Sequence, residues 1–156
     1  MLYFAYGMNT NRAQMADRCP MAKSLGRAVL MNHEFRFARH ADIIVNPEYN
    51  TQGVLWDITP ECEKNLDALE GFPNYYLKKT VRVLHNNKAV ECMVYYMAGE
   101  NIDENPSDGY LEMLFEGYKQ HNVDDYQIYE SLALINSINE RQKQLQNKYF
   151  NEQHWE

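Results

Sequence analysis

The chain has 156 residues, enough for one domain with a real core, and its 45% hydrophobic and 24% charged residues are those of a globular protein. A net charge of −7 argues against nucleic acid as the main partner, and no apolar stretch approaches the roughly 18 residues that a membrane span needs. The N-terminus lacks a basic start followed by an apolar core, and the three cysteines (Cys19, Cys62, Cys92) form an odd, scattered set. These features favour a reducing cytoplasm and free buried thiols over a disulfide framework.

In chain order, Leu2–Tyr6 reads as a buried strand that stops at a Tyr6-Gly7 turn, with Asn9, Thr10 and Asn11 after it. Such a turn ends a strand and aims backbone N–H groups at something. Asn11–Cys19 can form a short helix ended by Pro20. Residues 26–38 alternate over Ala28-Leu30 and Phe35-Phe37, which predicts one long or two short strands. "QGVLWDI" is another strand. Thr59 can cap the next helix, Pro60 suits its first position, Leu66 and Leu69 share a face, and Gly71 terminates it. Residues 79–85 and 90–97 form a hairpin around Asn86-Asn87, a pair that tolerates positive φ. A loop over Asn101–Asp108 precedes two helices. The first carries Leu111, Leu114, Phe115 and Tyr118. The second begins near Asp124-Asp125, with Ile128, Leu132, Ile135 and Ile138 on one face. Residues 1–140 form the expected domain, and 141–156 a polar tail or helix extension. The order of elements predicts an α+β fold, a small and largely antiparallel β-barrel or sheet with helices packed around it.

Charge is uneven along the chain. Residues 1–41 hold six basic and two acidic side chains, a net +4, which leaves −11 for the rest. Two differently solvated faces would account for this, as would a mildly positive neighbourhood suited to an anionic small molecule.

Most familiar chemistries have no footing here. The five histidines show no paired spacing and there is no Cys-x-x-Cys, so neither a metal nor another cofactor is expected. No Gly-x-Ser-x-Gly elbow, Gly-rich phosphate loop or dinucleotide fingerprint occurs. What stands out is Glu70 in "LDALEGFPNYY". It follows an apolar helical face and directly precedes the terminating glycine. A solvated helix-end carboxylate is one reading. The other starts from the helix dipole, which disfavours its charge there, and from partial burial beside Leu69 and Phe72. Both would raise its pKa toward the range of an acid/base working near neutrality.

"YFAYGMN" followed by "GVLW", "LDALEGFPNYYLKKTV" and "PSDGYLEMLFEGYKQHNVDDYQIY" resembles the γ-glutamylcyclotransferase-like superfamily over roughly residues 2–130. This superfamily includes γ-glutamylamine cyclotransferases and plant avirulence-induced-gene proteins. The resemblance implies a small barrel with surrounding helices and a pocket where the first turn faces Glu70. It implies that Glu70 is the general acid/base and that Tyr6, Gly7, Met8 and Asn9 cradle the γ-glutamyl group. Tyr76, with Tyr75 as the alternative, and Tyr110 line the pocket. The implied reaction is attack of the substrate's own α-amine on its γ-carbonyl, which releases 5-oxoproline and a free amine with no cofactor. The implied partner is a small γ-glutamyl molecule, not nucleic acid or membrane. The family's usual Ser is Met8 here, and Thr10 stands where Met or Leu is usual. These departures keep open a non-catalytic binding or antitoxin-like protein of the same fold, and action on another γ-linked amide.

Overall fold

In the computed structural model, which describes residues 1–154, Leu2–Ala5 forms β1. Tyr3, Phe4 and Ala5 are all buried, so this strand runs through the interior rather than along an edge. It lies antiparallel to the far end of β3 (His40–Asp57), with Phe4 opposite Leu55, and parallel to β5 (Lys88–Met97) at Tyr3 and Met93. β2 (Lys23–Ala38) and β3 make one long hairpin, and β4 (Tyr76–His85) pairs with β5 along its whole length. Val29–Leu84 and Leu30–Val83 join β2 to β4 and close a barrel in the order β1-β3-β2-β4-β5. The expected α+β barrel, mixed but largely antiparallel, is therefore what the chain forms. Gly53 lets β3 approach β1, since a Cβ there would lie 2.3 Å from the Ala5 carbonyl oxygen.

Of the two alternatives for residues 26–38 the chain forms the single long strand, starting earlier at Lys23, and one further strand boundary differs from expectation. β2 is continuous, with irregular register between Ser24 and Gly26 and between Met31 and His33. β3 begins twelve residues before "QGVLWDI", immediately after the turn at Arg39 (φ +70°). Asn46, Pro47 and Asn50 make this stretch look like a loop, yet Pro47 falls at the second irregularity, where it disturbs no cross-strand pair. The β4–β5 turn is the expected Asn86-Asn87 pair, both with positive φ.

The helices start and stop where local chemistry dictates. Asn11 caps α1 (Arg12–Arg18), its side chain accepting from the Ala13 and Gln14 N–H groups. Thr59 caps α2 (Pro60–Leu69) through the Cys62 N–H, and Gly71 ends it at φ +64°. Ser107 caps α3 (Asp108–Gln120) through the Tyr110 N–H, and α4 covers Tyr126–His154. In α4, Ile128 and Ile135 are buried while Ile138 is exposed, so only its first turns meet the core. The helix continues through 141–154. The final two residues of the expected tail, Trp155 and Glu156, lie outside the described residues.

The expectation of three free thiols is corrected. Cys19 and Cys62 form a disulfide, and only Cys92 is a free, buried thiol. Their separation of 43 positions hides the fact that α1 and α2 lie side by side, with the two Cα atoms 5.1 Å apart. Among the described residues, no helix is long and apolar enough to cross a membrane.

Candidate active site

β1 is followed by a single 3-10 turn, Met8–Thr10, which faces the C-terminal end of α2 across a cavity of about 200 Å³. All seven residues singled out from the sequence line this cavity: Tyr6, Gly7, Met8, Asn9, Glu70, Tyr76 and Tyr110. Tyr6, Gly7, Met8 and Asn9 arrive together at the end of β1, and the other three come from separate elements. The Gly71 terminator leaves Glu70 as the capping residue of α2, its N–H still bonded to the Leu66 carbonyl at 2.8 Å. The Ser107 cap sets the first turn of α3 and so delivers Tyr110. Tyr76 is the first residue of β4.

Burial pushes the Glu70 carboxyl up to about 7, against the opposing pull of the Arg18 charge and a hydrogen bond from Asn9. The apolar neighbours are not the expected pair. Leu69 lines the cavity but is half-exposed, and Phe72 turns away, with the Lys78 ammonium 4.5 Å above its ring. Burial comes instead from the tyrosine-lined wall. Asp67, in the same motif, is structural, accepting from the Tyr95 hydroxyl at 2.6 Å and from Lys78.

The tyrosines divide by what their hydroxyls do. Tyr6 donates to the Tyr95 carbonyl and Tyr76 to the Ala41 carbonyl, each at 2.7 Å. Tyr110 instead accepts from the Ala41 N–H at 3.0 Å, and the Met8 backbone also bonds its hydroxyl. Burial raises the pKa of all three phenols, so they stay neutral at physiological pH. Tyr75 is half-exposed, and its hydroxyl meets a His40 ring nitrogen at 2.8 Å.

Gly7 has φ −109°, so no left-handed backbone explains it. Its neighbours do: a Cβ there would lie 3.0 Å from the Tyr110 hydroxyl and 3.1 Å from the Ala41 Cβ. Asn9 is buried, and its side-chain amide is engaged within the protein. Nδ2 donates to the Tyr3 hydroxyl at 3.0 Å and to Glu70 Oε1 at 3.3 Å, while Oδ1 accepts from Arg18. Sequence reasoning missed Tyr3, Arg18 and His40 as cavity residues. The basic excess in residues 1–41 was the one signal pointing toward Arg18. Among the described residues, no group of three or more His, Cys, Asp or Glu side chains could hold a metal ion.

The family model for γ-glutamyl cyclotransferases of the AIG2-like type matches residues 3–114, which contain the whole cavity wall. The chain belongs to this family. Among solved structures, a γ-glutamyl cyclotransferase is 25% identical with a TM-score of 0.76, over 83% of this chain and 85% of that one. An uncharacterized human protein is 26% identical with the same TM-score of 0.76, over 82% and 84% of the two chains. YkqA from Bacillus subtilis is 21% identical with a TM-score of 0.74, over 88% of this chain and 54% of that one, and supports the fold alone. A comparison with curated proteins found no match. In this family member, the barrel thus brings one carboxylate with a pKa near neutrality against a strand-ending turn.

Proposed function

We propose that the protein cyclises γ-glutamyl amides, releasing 5-oxoproline and a free amine or amino acid, with Glu70 as general acid/base. The observation that carries this reading is Glu70 itself, a partly enclosed carboxyl raised to about 7 on the wall of a cavity faced by the Tyr6–Asn9 turn. At that pKa it is divided between acid and base at neutral pH, the condition under which one group can both take and return a proton. The α-ammonium gives one proton to Glu70, and the freed nitrogen attacks the γ-carbonyl. The bond to the leaving nitrogen breaks as Glu70 returns the proton to it. The extra proton on the ring nitrogen follows the same route, which leaves a neutral lactam and a protonated amine. The nucleophile is already part of the substrate, so ring closure supplies proximity.

In this reading the turn holds the γ-glutamyl group against Glu70, while the rings of Tyr6 and Tyr76 shape the cavity. The Tyr110 hydroxyl accepts from backbone, so its own proton is available for the oxygen that becomes an oxyanion. The Met8 side chain stands where the family usually has Ser. This favours the second reading, a binding protein of the same fold. A cytoplasmic setting belongs to the same proposal. The Cys19–Cys62 bridge weighs against it, because reducing compartments keep thiols open.

The test is incubation with a panel of γ-glutamyl dipeptides and γ-glutamyl amines, with 5-oxoproline as the readout. Turnover of at least one member is expected, falling roughly 10²–10⁴-fold in Glu70→Gln. Binding without turnover across the panel would support the non-catalytic reading instead.

A further inference from the structure

We propose that Arg18 is a positioning residue that acts through Asn9: it fixes which end of the Asn9 amide faces Glu70, and so holds the carboxyl in its working orientation. This deepens the proposed function and rests on it. A primary amide is close to symmetric in shape, and its two orientations differ only in whether oxygen or nitrogen points a given way. With the oxygen toward the ionised Glu70, two acceptors would face each other. With the nitrogen toward it, a hydrogen bond forms. The choice is made on the far side of the amide. Arg18 Nη1 meets Asn9 Oδ1, and a guanidinium has donors but no acceptor. The amide oxygen must therefore point to Arg18. Nδ2 is left with two protons for two acceptors, the Tyr3 hydroxyl at 3.0 Å and Glu70 Oε1 at 3.3 Å.

Arg18 is itself held from several sides. Nη2 lies 3.4 Å from the Met8 sulfur, and the Arg18 carbonyl accepts from Asn65 Nδ2 at 3.2 Å. The next residue, Cys19, is bonded to Cys62 on α2. Asn65 and Cys62 both belong to the helix that ends at Glu70. The links close a ring: α2 fixes Arg18, Arg18 fixes Asn9, and Asn9 meets the residue that ends α2. A change at Arg18 should thus reach Glu70 by way of Asn9, in addition to the direct pull of its charge.

The titratable groups around the cavity come from several elements, among them His40 on β3, whose imidazole is held below the usual range by burial and the Arg39 charge. Tyr3 lies on β1 and Tyr6 directly after it, Tyr75 and Tyr76 at the start of β4, Tyr95 on β5 and Tyr110 on α3. Burial raises the pKa of every one of these phenols, so none carries charge between pH 4 and 9. Arg18 is the cation that acts on Glu70, so its removal has a predictable sign: the carboxyl should titrate at higher pH.

The experiment is a ¹³C titration of the glutamate side-chain carboxyls, with Glu70 assigned by comparison with Glu70→Gln, in four full-length proteins: wild type, Arg18→Met, Arg18→Lys and Asn9→Ser. Kinetics on any substrate found are measured beside it. Arg18→Met should move the Glu70 titration up by about one pH unit. It should lower kcat by roughly 10-fold or more and change KM by less than about threefold. Arg18→Lys keeps the charge but loses the fork, so it should restore the titration while kcat stays low. Asn9→Ser removes the amide and should also raise the titration. It serves as the second arm should Arg18→Met not fold. An unchanged titration in the folded Asn9→Ser protein overturns the inference, because Arg18→Met also removes a charge that acts on Glu70 directly, and so does full recovery of kcat by lysine. The titration needs no substrate. A shift in Asn9→Ser, which keeps the Arg18 charge, in a protein that makes no 5-oxoproline therefore supports the Asn9–Glu70 link while rejecting the cyclase reading.

Discussion

Replacing Glu70 by glutamine should make the protein more stable above neutral pH, at the expense of its proposed chemistry. The carboxyl sits at about 7 in the fold against an ordinary 4.5, so its charged form is disfavoured by the fold by about 3 kcal/mol. A raised carboxyl pKa means that the native state binds more protons than the unfolded state between those two values. Unfolding stability therefore falls as pH rises from about 4.5 to about 7 and is flat above that. Glutamine is close in shape, stays neutral and keeps the Oε1 acceptor for Asn9 Nδ2. The variant should match wild type near pH 4 and exceed it by up to about 3 kcal/mol at pH 8. That figure is an upper bound, because water entering the cavity solvates the carboxylate. Urea denaturation of both proteins at the two pH values measures the difference, and all other titrating groups cancel in it. A gap that is the same at pH 4 and pH 8, or a variant less stable than wild type at pH 8, refutes the claim that burial sets the state of Glu70.

Gly7→Ala should weaken calorimetric binding of a γ-glutamyl ligand much more than Met8→Ser. Its new Cβ presses on the Tyr110 hydroxyl and Ala41 at 3.0 and 3.1 Å, whereas Met8→Ser leaves the turn's backbone untouched. The reverse order would mean that side chains, not the close backbone approach, build the cradle. Thiol titration of the denatured, unreduced protein should find one free thiol, Cys92, and reduction should lower stability, by about 4 kcal/mol in the chain-entropy account for a bridge spanning 43 positions. Three titrating thiols without reductant would show that the bridge does not form. Any cyclase activity should survive exhaustive treatment with a chelator. Its loss, with rescue by one particular metal, would mean that the reaction needs a metal ion.

How much of this was legible in the sequence varies with the range of the interaction responsible. Thr59, Pro60 and Gly71 bound α2 because capping and termination are decided within a few residues. The Asn86-Asn87 turn is legible for the same reason. The first half of β3 is not. Asn46, Pro47 and Asn50 argue locally for a loop, and only pairing with β2 makes an extended strand there. The Cys19–Cys62 bridge is a tertiary fact, invisible until α1 and α2 are packed together.

The candidate site divides along the same line. Glu70 is readable because helix end, apolar face and glycine terminator are consecutive residues. What the motif cannot convey is which neighbours desolvate the carboxyl. The chain neighbour Phe72 turns outward, while Tyr3 and Asn9, more than sixty positions away, form the wall. The family resemblance implies that Asn9 belongs to the cradle of the γ-glutamyl group. It lines the cavity, and its amide is also bonded on both sides, to Arg18 and to Glu70. That adds a second task to the "YGMN" turn. Its backbone remains available to a substrate, but its asparagine side chain ties the strand end to the acid at the end of α2. The close of β1 and the close of α2 are then one unit, and a substitution in either should be felt in the titration of the other.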